Sequence, residues 1–192
     1  MSKQPLPETM DWPEDAIFTV GHSTLKLEEF IALLEAYDLE CLADIRTVPR
    51  SRHNPQFNRD ALPPVLALAG IEYLYMPGLG GLRHPRPDSS NTGWRNTSFR
   101  GYADYMETPE FEANLAELQR AADGRHAVIM CAEAVPWRCH RSLIADALTV
   151  RGVPVGHILS ERKAEPHRLT SFARLDAGKL TYPGGQLAMF GR

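Results

Sequence analysis

Residues 126–152, HAVIMCAEAVPWRCHRSLIADALTVRG, read as a strand, a turn and a helix in immediate succession, and few folds accommodate such a unit. Ala127-Val128-Ile129-Met130 is a short apolar run of the kind found in strands buried on both faces. Pro136 breaks the turn spanning Glu133–Trp137. A helix follows, with Leu143, Ile144, Ala147 and Leu148 on one face and Gly152 as its stop. Cys131, Glu133, Arg138, Cys139, His140 and Arg141 crowd the corner between strand and helix. Open α/β sheets bind ligands where strands end and helices begin, so this corner is the expected site.

The rest of the chain repeats the unit. Ile17–Val20, Cys41–Ile45, Ile71–Met76 and Val153–Ile158 are further β-prone runs. Leu27–Tyr37, Arg59–Ala69 and the segment from Thr108-Pro109 to Gly124 carry apolar residues at helical spacing, and Tyr102–Met106 reads as a helical turn. This alternation predicts an α/β fold: a single domain with a mostly parallel sheet and helices on both faces. Residues 47–58 and 77–99 read as long, irregular, arginine-rich loops, the second a functional lid or partly disordered. Residues 1–14 are expected to be a flexible leader, 15–160 the α/β domain, and 161–192 an extension with a hairpin around Asp176-Ala177-Gly178. At 192 residues and 43% hydrophobic content there is enough chain for one proper core. No apolar run has membrane-spanning length and no secretory signal opens the chain, so the expected setting is cytoplasmic, with no membrane partner. Three cysteines do not make a disulfide framework, and Cys131 and Cys139 are expected not to form a stable disulfide.

Five motifs occur in order: Gly21-His22-Ser23, Asp44-Ile45-Arg46 with Pro49 and Ser51, Leu79-Gly80-Gly81, Cys131-Ala132-Glu133 and Cys139-His140-Arg141. Together they make the chain, from about Phe18 to Ile158, resemble the bacterial domain-of-unknown-function family 488. The resemblance supports the fold and the choice of site, and implies no particular reaction.

Parallel strands end on one edge, which would gather His22, Ser23, Asp44, Arg46, Cys131, Glu133 and also His157. Cys131 is a nucleophile if its thiolate is favoured by the arginines and the helix N-terminus, and a small buried hydrophobe otherwise. Six residues separate Cys131 from Arg138, one more than the usual thiol-phosphatase loop, and Glu133 and Pro136 also argue against that activity. Cys131, Cys139, His140 and His22 are zinc ligands by type, but zinc is not favoured: the spacing is not standard, and adjacent Cys139 and His140 on a helix would point about 100° apart. Acid–base chemistry would use Glu133 or Asp44, with His22 or His140 as partner. Ser23, Arg46, Arg138, His140 and Arg141 would hold an anionic substrate. The competing reading makes Asp44 and Glu133, with Arg46 and Arg141, an ion-pair cluster that braces the loops.

Between Arg46 and Arg100 eight arginines face three acids, whereas Gly101–Asp123 holds one arginine and six acids. Arginine suits phosphate, and Phe57, Trp94 and Phe99 could stack on bases, so the expected ligand is phosphate-bearing, a nucleotide or nucleic acid. Both arginine-rich segments are expected to wall the pocket. Near the end, Gln186, Leu187, Met189 and Phe190 resemble the peptide by which bacterial DNA-repair and replication proteins dock on the sliding clamp, and Tyr182–Gly185 would detach this tail. Two functions follow: an enzyme acting on a phosphate-bearing substrate, or a non-catalytic DNA-associated module.

Overall fold

In the computed structural model, which describes residues 12–185, β1 (Ile17–Gly21), β2 (Cys41–Asp44), β3 (Glu72–Tyr75), β4 (Ala127–Cys131) and β5 (Val155–Ser160) run parallel in one sheet. A sixth strand, β6 (Lys163–Pro166), joins β5 antiparallel. The order across the sheet is β3-β2-β4-β1-β5-β6. The strand that carries Cys131 therefore lies between β2 and β1, and all three end at one level: Asp44 is opposite Met130, and Gly21 opposite Cys131.

Alternating side chains send each strand into two cores. Phe18, Leu42, Val128 and Met130 pack with Phe30 and Leu34 of α1 (Leu27–Glu35) and with Leu62 and Leu66 of α2 (Leu62–Leu68). On the opposite face Ile17, Ala43, Ala127 and Ile129 meet α3 (Thr97–Tyr105), α4 (Pro109–Ala121) and α5 (Arg141–Thr149). Burying one such aliphatic or aromatic side chain contributes about 1.5–3 kcal/mol, so β1, β2 and β4, covered on both faces, are firmly held. The expected single α/β domain with helices on both faces is what forms.

Several elements differ from expectation. Helix α2 starts at Leu62, not Arg59, because Pro63 and Pro64 fit only its first turn. The helical turn expected at Tyr102 is the end of a nine-residue helix, α3, whose start is capped by the Asn96 side chain accepting from Ser98 N and Phe99 N. Strand β6 carries Lys163 and Glu165 on an exposed edge, so no apolar pattern announces it.

The hairpin forms as expected, from β7 (Arg174–Asp176) and β8 (Lys179–Thr181), with Ala177 and Gly178 both at positive φ. The extension does not hang free. Tyr182 is fully buried and Gly184 N donates to Thr92 Oγ1 at 3.0 Å, so Tyr182–Gly184 bind the chain to the domain and do not detach it. Trp12, placed by sequence in the leader, packs edge-on against Phe18. Gln186, Leu187, Met189 and Phe190 lie outside the described residues. Among the described residues no helix is long and apolar enough to cross a membrane.

Candidate functional site

After β4 the chain turns sharply over the end of β1. His22 N donates to Cys131 O and Ser23 N to Ala132 O, each at 3.0 Å. A Cβ at Gly21 would lie 1.9 Å from Glu133 O, so only glycine permits this crossing. Ser23 takes φ +46°, the left-handed conformation rare for a residue with a side chain. Arg141, at the start of α5, is 1% exposed. Its guanidinium donates to Glu133 O and, at 2.8 Å, to Ala134 O, while its Nε has no partner. The pairing of Arg141 with the Glu133 carboxylate expected from sequence is thus replaced by bonds to backbone carbonyls. Among the described residues this buried cation has no carboxylate against it.

Asp44 and Arg46 form the other half of the brace. Arg46 Nε reaches Asp44 Oδ1 at 2.8 Å and Nη2 reaches Oδ2 at 2.6 Å, a bidentate fork. Arg46 N and the Tyr73 hydroxyl complete the shell of the fully buried carboxylate. Arg46 also donates from Nη2 to Phe57 O and from Nη1 to His22 Nε2. His22 lies flat on Phe57, with ring centres 4.2 Å apart, and its Nδ1 bonds Ser23 O. Burial, then the Arg46 charge, holds the His22 pKa down at about 4. Both Asp44 oxygens and both ring nitrogens of His22 are thus engaged in the brace. Phe57, buried beneath His22, is not available to stack on a base.

Cys131 is only partly buried and opens onto a cleft of about 710 Å³. The Cys139 sulfur lies within 4.8 Å of its own. This neighbouring thiol, with the Glu133 backbone N–H and the Arg141 charge, outweighs burial and lowers the Cys131 pKa from 9.0 to about 6. The proton is kept by Cys139, whose pKa rises well above the ordinary thiol value because it shares that proton with Cys131 and is buried.

Cys139 and His140 do not diverge as two helical neighbours would. Pro136–Arg138 forms a 3-10 turn, and Cys139 is extended behind it (φ −131°, ψ 145°), so its sulfur stands 3.7 Å from His140 Nδ1. Donor atoms of Cys131, Cys139 and His140 all lie within 4.8 Å of one another. These three could meet a metal ion, and burial followed by the Arg141 charge keeps His140 neutral, with a pKa of about 4. The Arg141 guanidinium acts on both sulfurs, however, and a buried, uncompensated cation favours a lone thiolate there over a second positive charge.

The cleft is lined by His22, Ser23, Arg46, Cys131, Glu133, Arg138 and His140 from the expected set, and also by Arg50, Asn54 and Phe99. Glu133 is exposed, with Oε1 accepting from Val135 N. Both long segments supply lining residues, but of the eight arginines from Arg46 to Arg100 only Arg46 and Arg50 do so. Arg59 covers the Tyr75 ring, Arg83 covers Tyr105 and Arg86 pairs with Glu107. The second segment is pinned by Asp104, which accepts from Arg86 N, Ser89 Oγ and Asn91 Nδ2. His157, expected at the same edge, sits instead in a chain of hydrogen bonds running Thr19–His157–His167–Asp146, on a different cleft. The sequence offered Cys139 as a zinc ligand by type and as a partner that forms no stable disulfide, and gave no sign that it would lie beside Cys131 in the cleft. The proline that opens the 3-10 turn is the signal that takes this cysteine off the helix.

The family described as Domain of unknown function DUF488 matches residues 26–148, more than half of the chain. The match spans the motifs at Asp44, Gly80, Cys131 and Cys139 and begins just after His22. No curated protein and no solved structure matches the chain.

Proposed function

Since the chain belongs to the DUF488 family, whose description leaves the activity open, we propose a function from the chemistry of the corner: an enzyme that uses the Cys131 thiolate as nucleophile on a phosphate-bearing substrate, a nucleotide or nucleic acid. One observation carries this reading. Cys131 opens onto the cleft while its sulfur stands within 4.8 Å of the Cys139 sulfur and lies in the field of the buried Arg141, which among the described residues has no carboxylate against it. A thiol acidified in this way is mostly ionised near neutral pH and accessible, the two requirements for a nucleophile.

Each remaining lining residue then has a task. Arg50 and Arg138, at the two sides of the cleft, grip the phosphate, with Ser23 as a further donor. The sulfur bonds to an electrophilic centre of the substrate other than the phosphorus, the bond to the leaving group breaks, and Glu133 gives that group its proton. In the second half Glu133 takes a proton from water or an acceptor, whose oxygen displaces the thiolate. Asp44, Arg46 and His22 position the turns and do not take part. The reaction class is hydrolysis or transfer by covalent catalysis.

The reading is tested in two steps. Iodoacetamide should alkylate Cys131 with a pH midpoint near 6, and incubation with nucleotides and oligonucleotides should give a mass adduct on Cys131 that builds up in Glu133→Gln. A midpoint near 9 would overturn the nucleophile. Phosphate binding that needs Arg50 and Arg138 but gives neither adduct nor turnover would favour the DNA-associated module, with Gln186, Leu187, Met189 and Phe190 as its link to the sliding clamp.

A further inference from the structure

We infer that Cys131 and Cys139 form a redox couple: a peroxide entering the cleft oxidises Cys131, Cys139 closes a disulfide onto it, and a dithiol reductant reopens the pair. The inference rests on the reading of Cys131 as an accessible thiolate, and adds a second chemistry to the same sulfur.

Geometry divides the labour between the two thiols. Cys131 and Cys139 both line the cleft, Cys131 partly exposed at the end of β4 and Cys139 only 5% exposed. An oxidant arriving from solvent therefore meets Cys131 first. Cys139 is held in place by its own backbone: its N–H donates to Pro136 O at 3.0 Å, and its carbonyl accepts from Ser142 N at 3.0 Å and Ser142 Oγ at 2.9 Å. The two sulfurs belong to one group of donor atoms that lie no more than 4.8 Å apart. The third cysteine, Cys41, is fully buried on β2 and absent from the cleft lining.

The steps balance. The Cys131 thiolate attacks a peroxide oxygen, the O–O bond breaks, and Cys131 becomes a sulfenic acid as hydroxide leaves. The Cys139 sulfur then attacks the sulfenic sulfur, an S–S bond forms, and the departing hydroxyl takes up the Cys139 proton as water. A dithiol returns two electrons and two protons by exchange through a mixed disulfide.

Arg141 decides which state is favoured. In the dithiol form its buried charge faces the Cys131 thiolate. Disulfide formation removes that thiolate and leaves the guanidinium without a counter-charge. A couple whose reduced form is stabilised in this way is an oxidising one, so the disulfide is short-lived in a reducing compartment. This agrees with the expectation that the two cysteines form no stable disulfide.

The test uses the full chain, fully reduced, with hydrogen peroxide at one equivalent and then excess dithiothreitol. Peptide mapping without reductant should find one disulfide, Cys131–Cys139, with Cys41 free, and dithiothreitol should remove it. In Cys139→Ser the same peroxide should leave Cys131 as a sulfenic acid that dimedone captures at least tenfold more than in the unsubstituted protein. Equal dimedone capture in both proteins, or a disulfide through Cys41, overturns the couple while leaving Cys131 a nucleophile. If Cys131 reacts with neither peroxide nor iodoacetamide, the couple and the proposed thiolate chemistry fall together.

Discussion

Replacing Cys139 with alanine isolates what one buried S–H does for Cys131. The Cys131 pKa drops from 9.0 to about 6, and the hydrogen bond from Cys139 is the largest cause. The whole change is worth ~4 kcal/mol of thiolate stabilisation, at about 1.4 kcal/mol for each tenfold change in the ionisation constant. A hydrogen bond to a charged group accounts for about 1.5–3 kcal/mol of it. Cys139→Ala should therefore raise the midpoint by roughly one to two units, to between about 7 and 8. The Arg141 charge and the Glu133 N–H remain and hold it below 9.0. At pH 7 the thiolate fraction should fall from about nine-tenths to between about a half and a tenth. Iodoacetamide rates across pH 5–10, with the thiolate absorbance as a second probe, measure both midpoints. Cys41 does not interfere, because burial raises its pKa and keeps it from the reagent. A midpoint unmoved in Cys139→Ala would refute the assignment of the donor, and a shift of three units would leave Arg141 no role.

Three other outcomes can be checked on the same protein. Gly21→Ala should destabilise the fold by several kcal/mol, about 3 or more, since its Cβ meets the Glu133 carbonyl and the turn must open; urea denaturation measures this. Asp44→Asn leaves Arg46 buried without its fork and should cost about 3–5 kcal/mol, with iodoacetamide still reaching Cys131 in the molecules that stay folded. Stability should fall as pH drops from about 6.5 towards 4, because His22, His140 and His157 each have a folded pKa near 4. The unfolded chain then binds the extra protons, at a cost on the order of 3 kcal/mol per imidazole by pH 4, so melting temperatures that stay flat over this range would contradict the burial of these rings.

The legible part of this protein is the part that local pattern controls. Strands buried on both faces appear as unbroken apolar runs, so β1, β2 and β4 could be read directly, and with them the edge where Asp44, Cys131 and Glu133 meet. What could not be read depends on partners distant in the chain. Asp44 looks like a free base until Tyr73 and Arg46 close over it. Arg141 looks like an anion clamp, and instead spends its donors on the carbonyls of Glu133 and Ala134. Helix α3 has a glycine at its centre and little apolar pattern; it forms because Asn96 caps it and because Asp104 gathers Arg86, Ser89 and Asn91. The alignment of Cys139 with Cys131 arises from one proline-led turn, which shifts the residue from helix to extended backbone. The run of arginines before residue 100 suggested a broad basic wall, yet most of these side chains bond within the domain.

The place of β4 in the sheet has a consequence for a chain still being made. β1 and β2 are synthesised early but share no hydrogen bonds with each other; each is joined only through β4, which emerges some eighty residues after β2. Until β4 inserts, the sheet has no centre and its two halves no common edge. Cys131 acquires its acidity in that same event, because its donor and its cation follow immediately on the turn and on α5. A nascent or misassembled chain thus carries three ordinary thiols, and the sulfur proposed as nucleophile gains its surroundings only in a domain that has finished folding.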